Sequence, residues 1–132
     1  MIRRFPAEPA ALGEIRQFVR SKAAGATLGR ERAEELALAV SEACTNVIRH
    51  TETDEIRLAY EVDDSCLVVE VADEGVFQDR LPVPAVEPGG RGILLMTAFV
   101  DEVAIQEGTP SRPGTVVRLV KCKPGRTLDG RP

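Results

Sequence analysis

Ser41-Glu42-Ala43-Cys44-Thr45-Asn46-Val47-Ile48-Arg49-His50 is the stretch on which the reading of this chain turns. It lies inside a longer helical pattern running from about Arg30 to Thr51. At about 100° per residue, Leu36, Val40, Ala43, Cys44 and Val47 fall on one apolar arc. Glu42 and Asn46, four residues apart, stand one above the other at the edge of that arc. Packing alone does not put a carboxylate and an amide at the border of a buried face. They face solvent or a pocket, and the sequence is read here as placing a pocket.

Outward from this helix the chain divides into short periodic segments. Ile2–Phe5 alternates weakly and predicts a short edge strand ended by Pro6. Glu8 to about Ala24 predicts an amphipathic helix through Leu12, Ile15, Phe18 and Val19, terminated by Gly25, with Thr27 or Gly29 leading into the central helix. Ile56, Leu58, Tyr60 and Val62 recur with period two, as do Leu67, Val69 and Val71, and the turn Asp63-Asp64-Ser65 makes the pair a hairpin. Asp73–Gly92 has Pro82, Pro84 and Pro88 and several glycines; its length favours a binding loop over a plain turn. A short helix using Ile93, Leu94, Met96, Thr97 and Phe99 is expected after Gly92. Strands at Val103–Gln106 and Thr115–Lys121 follow, linked by a turn-rich Glu107–Gly114. Consecutive antiparallel pairs with segregated helices predict an α+β two-layer sandwich: a mixed, mostly antiparallel sheet covered on one face by helices. One domain is expected over residues 1–123, with Pro124–Pro132 a polar, disordered tail.

Composition narrows the function classes. The 132 residues, 43% hydrophobic and 29% charged, suit one soluble domain with a single core. With no Trp, one Tyr and four Phe, that core must be aliphatic. A net charge of −4 argues against direct nucleic-acid binding. No apolar run approaches the ~20 residues that span a bilayer, and none follows Arg3 and Arg4. A cytoplasmic protein without signal peptide or membrane association is expected. Cys44, Cys66 and Cys122 are odd in number and widely spaced, so buried or incidental thiols are expected rather than a disulfide or a zinc site.

Three separated pieces carry the chemistry. The first is Glu42-x-x-x-Asn46. Magnesium is a hard ion that keeps several waters and needs only one or two protein oxygens beside phosphates, so the Asn46 amide oxygen can serve as its protein ligand. Glu42, one turn earlier, can accept a proton from a hydroxyl attacking a γ-phosphate. The second is Asp73-Glu74-Gly75, directly after an apolar strand. A carboxylate at the floor of a cleft accepts from the exocyclic amine of adenine, and Gly75 lets the backbone approach the base or turn with positive φ. The third is Gly89-Gly90-Arg91-Gly92 opening a helix, where freed amides, the helix terminus and the Arg91 fork all suit phosphate. Each piece alone reads equally as solvated surface, an ordinary turn or a flexible loop, and Glu74 and Arg80 are read as solvated loop charges.

In this order, E-x-x-x-N, D-x-G and G-x-G resemble the Bergerat-fold (GHKL) ATP-binding superfamily shared by DNA gyrase, MutL and histidine kinases. The similarity runs from about Arg32 to Lys121. S-E-A-C-T-N-V-I-R-H, V-A-D-E-G, and G-G-R-G-I-L-L-M-T-A-F-V-D-E-V followed by G-T-V-V-R-L-V look most like the anti-sigma-factor serine/threonine kinases of bacterial partner-switching systems. The resemblance implies roles by position. Asn46 would bind magnesium and Glu42 would be the catalytic base. Asp73 would recognise adenine, with Gly75 shaping the base pocket. Gly90 and Gly92 would line the phosphates, with Arg91 reaching toward the γ-phosphate. Thr115 matches the family threonine that supports the adenine-binding Asp, and reads equally as a β-branched strand residue. Val76–Gly89 would be a short, proline-rich ATP lid.

His50 is the only histidine and ends the central helix, where a polar helix-end role is expected. The sensor-kinase branch needs a phosphoacceptor histidine on a separate helix, and gyrase and MutL relatives need a further domain. The implied function is an ATP-binding anti-sigma factor that phosphorylates a STAS-domain anti-anti-sigma antagonist, using Mg2+ and ATP. The alternative is a nucleotide-gated module that sequesters a partner without phosphotransfer. The implied partners are a sigma factor, the STAS protein and a second copy of the chain in a homodimer, to which the edge strand Ile2–Phe5 is suited.

Overall fold

The apolar arc of the central helix is buried as its spacing requires. Leu36, Val40 and Cys44 are fully buried, and Ala43 and Val47 nearly so. The structure, a computed structural model, describes residues 1–73, 76–77, 96–109 and 112–126. In chain order these form β1 (Ile2–Pro6), a single 3-10 turn at Pro9–Ala11, α1 (Leu12–Gly25), α2 (Arg30–His50), β2 (Thr51–Glu52), β3 (Glu55–Val62), β4 (Cys66–Asp73) and β5 (Val76–Phe77), then β6 (Glu102–Thr109) and β7 (Arg112–Cys122). Residues 96–99, just before β6, are helical.

One five-stranded sheet has the order β1-β3-β4-β7-β6, with β1 and β6 at its edges. Every ladder in it is antiparallel. Alternation along the strands sends Ile56 and Leu58 of β3, Leu67, Val69 and Val71 of β4, and Val117 and Leu119 of β7 into one core with Ile15 and Val19 of α1 and the arc of α2. The helices therefore cover one face, which is the two-layer α+β sandwich expected.

Aromatics are few but placed together. Phe18 of α1 sits edge-on between Phe5 of β1 and Tyr60 of β3, with ring centroids 5.7 Å apart in both pairs. The two helices are further clamped by Arg20, whose guanidinium donates to both carboxylate oxygens of Glu34 at 2.7–3.0 Å.

Four sequence readings change. The linker expected at Glu107–Gly114 is mostly strand. The β6–β7 ladder runs on to Thr109 opposite Arg112, absorbing an irregularity between Glu107 and Thr109. Gly114, at φ 127, adopts a backbone that a side chain would resist, so the glycine that reads as a turn serves inside a strand. The irregular Asp73–Gly92 segment includes a strand, because β5 pairs with β2 (Thr51 opposite Phe77, Glu52 opposite Val76). The predicted amphipathic helix begins only at Leu12, after the 3-10 turn that Pro9 favours.

The fourth concerns cysteine. Cys44 is the buried free thiol expected, and burial pushes its pKa up to about 12. Cys66 and Cys122, however, are joined in a disulfide. The β4–β7 register sets them directly opposite one another, a proximity that a 56-residue separation conceals.

Leu36→Ala deletes a side chain at the centre of the α2–sheet contact. It is expected to cost about 2–5 kcal/mol in denaturant unfolding, with the slope unchanged.

Candidate functional site

Inward-facing positions of β4 read Leu67, Val69, Val71 and then Asp73. The last breaks the apolar pattern without leaving the buried face, for Asp73 is 3% exposed. A carboxylate held so deep in an aliphatic core is costly unless it is paired or hydrogen-bonded. Across the ladder its register partner is Thr115 of β7, 5% exposed. The Thr115 Oγ1 is buried and makes no hydrogen bond among the described residues. A hydroxyl in that state has a free donor and acceptor for a water or a ligand that comes beside it.

The same end of the sheet receives α2. Ser41 lies on the margin of the buried arc that faces α1, where its Oγ accepts from the Arg16 guanidinium at 3.1 Å. A rotation of about 100° per residue carries Glu42 and Asn46 to the opposite margin of the arc. Both are half-buried. The chain leaves α2 directly into β2, whose partner β5 begins three residues after Asp73. This small ladder ties the C-terminal end of α2, carrying Asn46, to the Asp73 end of β4.

The structure thus brings Asp73 and Thr115 together, and sets Asn46 and Glu42 on the helix margin tied to that end of the sheet. Gly75, Gly90, Arg91 and Gly92, with Glu74, Arg80 and residues 78–89 of the expected Val76–Gly89 lid, lie outside the described residues, while Val76–Phe77 of that lid form β5. Among the described residues no group of three His, Cys, Asp or Glu side chains is gathered to hold a metal. The donor available is one half-buried amide oxygen, that of Asn46. It fits magnesium, which is held largely by phosphate and water oxygens.

Lys121 escaped the sequence reading. Its Nζ donates to the carbonyl of Phe99, at the end of helical residues 96–99, and pairs with Glu35 of α2 at 3.3 Å. The signal was present, since period two through Val117 and Leu119 puts position 121 on the inward face, where a charge needs a partner. A concavity of about 410 Å³ lined by Glu61, Val62, Asp63, Val68 and Arg118 lies toward the opposite end of β4 from Asp73 and is no part of this site.

Residues 5–121 match the histidine kinase-like ATPase domain. The chain belongs to that family. Among curated proteins it is similar to the serine-protein kinase RsbW of Bacillus velezensis, 32% identical over 143 residues, covering 96% of this chain and 87% of the relative. RsbW of Bacillus subtilis is 32% identical over 141 residues, covering 94% and 86%. The fold is that of the histidine kinase domain of the Erythrobacter litoralis EL346 blue-light activated histidine kinase, with TM-score 0.54, 23% identity and coverage of 89% of this chain and 65% of that one. It is shared with the Acinetobacter baumannii histidine kinase AdeS, at TM-score 0.52 and 11% identity, covering 94% and 68%. Within the superfamily the chain stands with the anti-sigma-factor kinases, as a protein kinase of the serine/threonine class that uses ATP.

Thr115→Val replaces a buried hydroxyl, unpartnered among the described residues, by a methyl group of the same shape. The unliganded protein is expected to gain about 1 kcal/mol, seen as a raised melting temperature.

Proposed function

We propose that the protein phosphorylates a serine or threonine of a STAS-domain anti-anti-sigma antagonist and, in the alternative state, holds a sigma factor. The observation that carries this reading is the buried Asp73 opposite Thr115, at the end of the sheet to which β2 and β5 tie Asn46 and Glu42. The RsbW relatives named as serine-protein kinases support it.

In this reading Asp73 accepts from the adenine amine, and the Thr115 hydroxyl steadies that carboxylate or a water beside it. Gly75 shapes the base pocket, Gly90 and Gly92 line the phosphates, and Arg91 reaches the γ-phosphate. Asn46 is the residue that would hold magnesium, which when bound neutralises phosphate charge during transfer. Glu42 sits one helical turn from Asn46, within reach of the same phosphate end. It takes the proton of the partner's hydroxyl as that oxygen bonds the γ-phosphorus and the bond to the ADP oxygen breaks.

We also propose a cytoplasmic homodimer. Among the described residues no helix is long and apolar enough to cross a membrane. Among the described residues no strand lies outside β1, and that edge is suited to meeting a second copy.

The test is phosphotransfer from Mg-ATP to a purified STAS partner, read beside thermal stability. With nucleotide at about 100 times its dissociation constant the protein should gain roughly 2.7 kcal/mol. Asp73→Asn should lose that gain. Glu42→Ala should keep the gain while transfer falls about 10²–10⁴-fold. Transfer indifferent to Glu42→Ala, or a nucleotide gain that survives Asp73→Asn, contradicts the assigned roles.

A further inference from the structure

At the end of the β4–β7 ladder away from Asp73, Cys66 is the first residue of β4 and Cys122 the last of β7. Both are 1% exposed, and with Val68 and Val120 they form a small cluster on the face of the sheet that the helices do not cover. The backbone of this pair is engaged elsewhere. The Cys66 N–H donates to Asp63 Oδ1 at 2.6 Å, and its carbonyl accepts from the Asp63 N–H at 3.0 Å. The Cys122 N–H donates to Asp101 Oδ2 at 2.7 Å, and its carbonyl accepts from the Arg32 guanidinium at 2.8 Å. The bond between the two sulfurs is therefore what ties residue 66 to residue 122. Beyond them the ladder has one more bond, from the Lys123 N–H to the Ser65 carbonyl at 2.8 Å.

Much is anchored on this end of β7. Lys121 holds the Phe99 carbonyl and Glu35, and the Asp101 N–H donates to the Val120 carbonyl at 2.8 Å. Residues 96–101, which follow the Gly89–Gly92 segment in the chain, are thus fixed through positions 120–122. The first turns of α2 reach the same place through Arg32 and Glu35.

We propose that Cys66–Cys122 is a reversible redox site, with a dithiol as reductant and a small-molecule disulfide as oxidant, whose state sets how firmly β7 holds residues 96–101. Both cysteines are strand-terminal, so a local opening of the sheet end exposes them without global unfolding. A thiolate of the reductant attacks one Sγ, the sulfur–sulfur bond breaks and a mixed disulfide forms. The reductant's second thiol then displaces the other partner and leaves as its own disulfide. Two electrons pass to the two cysteine sulfurs, and each takes up one proton. Glutathione disulfide reverses the step. In a reducing compartment a disulfide of this kind is a sensing element rather than a permanent staple.

The test treats the full chain, without denaturant, with excess dithiothreitol, then unfolds and alkylates it for mass spectrometry. One thiol (Cys44) is expected to label before reduction and all three cysteines after it, with return to one on adding oxidised glutathione. In the reduced protein, amide exchange over residues 96–101 and 120–123 should quicken by about tenfold or more while residues 67–72 are unchanged. The melting temperature should fall by on the order of 10 °C. The double variant Cys66→Ala/Cys122→Ala should show the reduced pattern with or without dithiothreitol. A single labelled thiol after reduction, three labelled thiols after oxidation, or exchange over 96–101 that ignores the redox state each overturns the proposal. No readout requires nucleotide, so a failure here and a failure of the kinase reading are told apart.

Discussion

The eight-position register between β4 and β7 is the constraint on which the rest depends. It sets Asp73 opposite Thr115 at one end and Cys66 opposite Cys122 at the other, with six paired hydrophobic or charged levels between them that build the middle of the sheet. A slip of one residue would turn Leu67, Val69, Val71 and Asp73 to the uncovered face, and α2 would have no surface to lie on. The register is held from both sides: by the apolar arc of α2 packed on one face, and by the cross-strand sulfurs with Val68 and Val120 on the other.

Within that frame the two ends of one ladder do different work. The Asp73 end places a buried carboxylate opposite a buried hydroxyl, and that hydroxyl, unpartnered among the described residues, carries a desolvation cost. The aliphatic core around Leu36, Ile56, Leu58 and Leu119, all fully buried, tolerates that cost. The Cys122 end gathers Arg32, Glu35, Lys121 and Asp101 and joins β7 to α2 and to residues 96–101. Polar groups thus concentrate where elements must be held at fixed positions, and the middle of the sheet needs none on its covered face.

Periodicity made most of the fold legible. The helical arc of α2, the β3–β4 hairpin and the inward alternation of β7 each carry a repeat that only one packing satisfies. What was hidden depends on register or on very short elements. β2 and β5 are two residues each, too short to show a period, yet they join the end of α2 to the end of β4. The extension of β6 and β7 past Glu107 runs through Gly114 and a local irregularity, where glycine reads as punctuation. The disulfide is a long-range pairing with no local signature. For the site, Glu42 and Asn46 stood out at the edge of the apolar arc and Asp73 in a motif directly after an apolar strand, while Thr115 came from the family resemblance alone. That Asp73 and Thr115 are polar residues at buried, paired positions is what the structure adds. Lys121 is likewise a polar residue at a buried position, and there the inward charge, rather than a motif, was the signal to follow.

The most direct measurement is the structure of the protein crystallised with magnesium and a non-hydrolysable ATP analogue. The adenine amine should lie within hydrogen-bond distance of the Asp73 carboxylate, with Thr115 beside it and the triphosphate running toward Asn46 and the Gly90–Gly92 segment. A nucleotide seated elsewhere, such as the concavity beside Val68 and Arg118, with Asp73 and Thr115 closed off from it, would contradict the site.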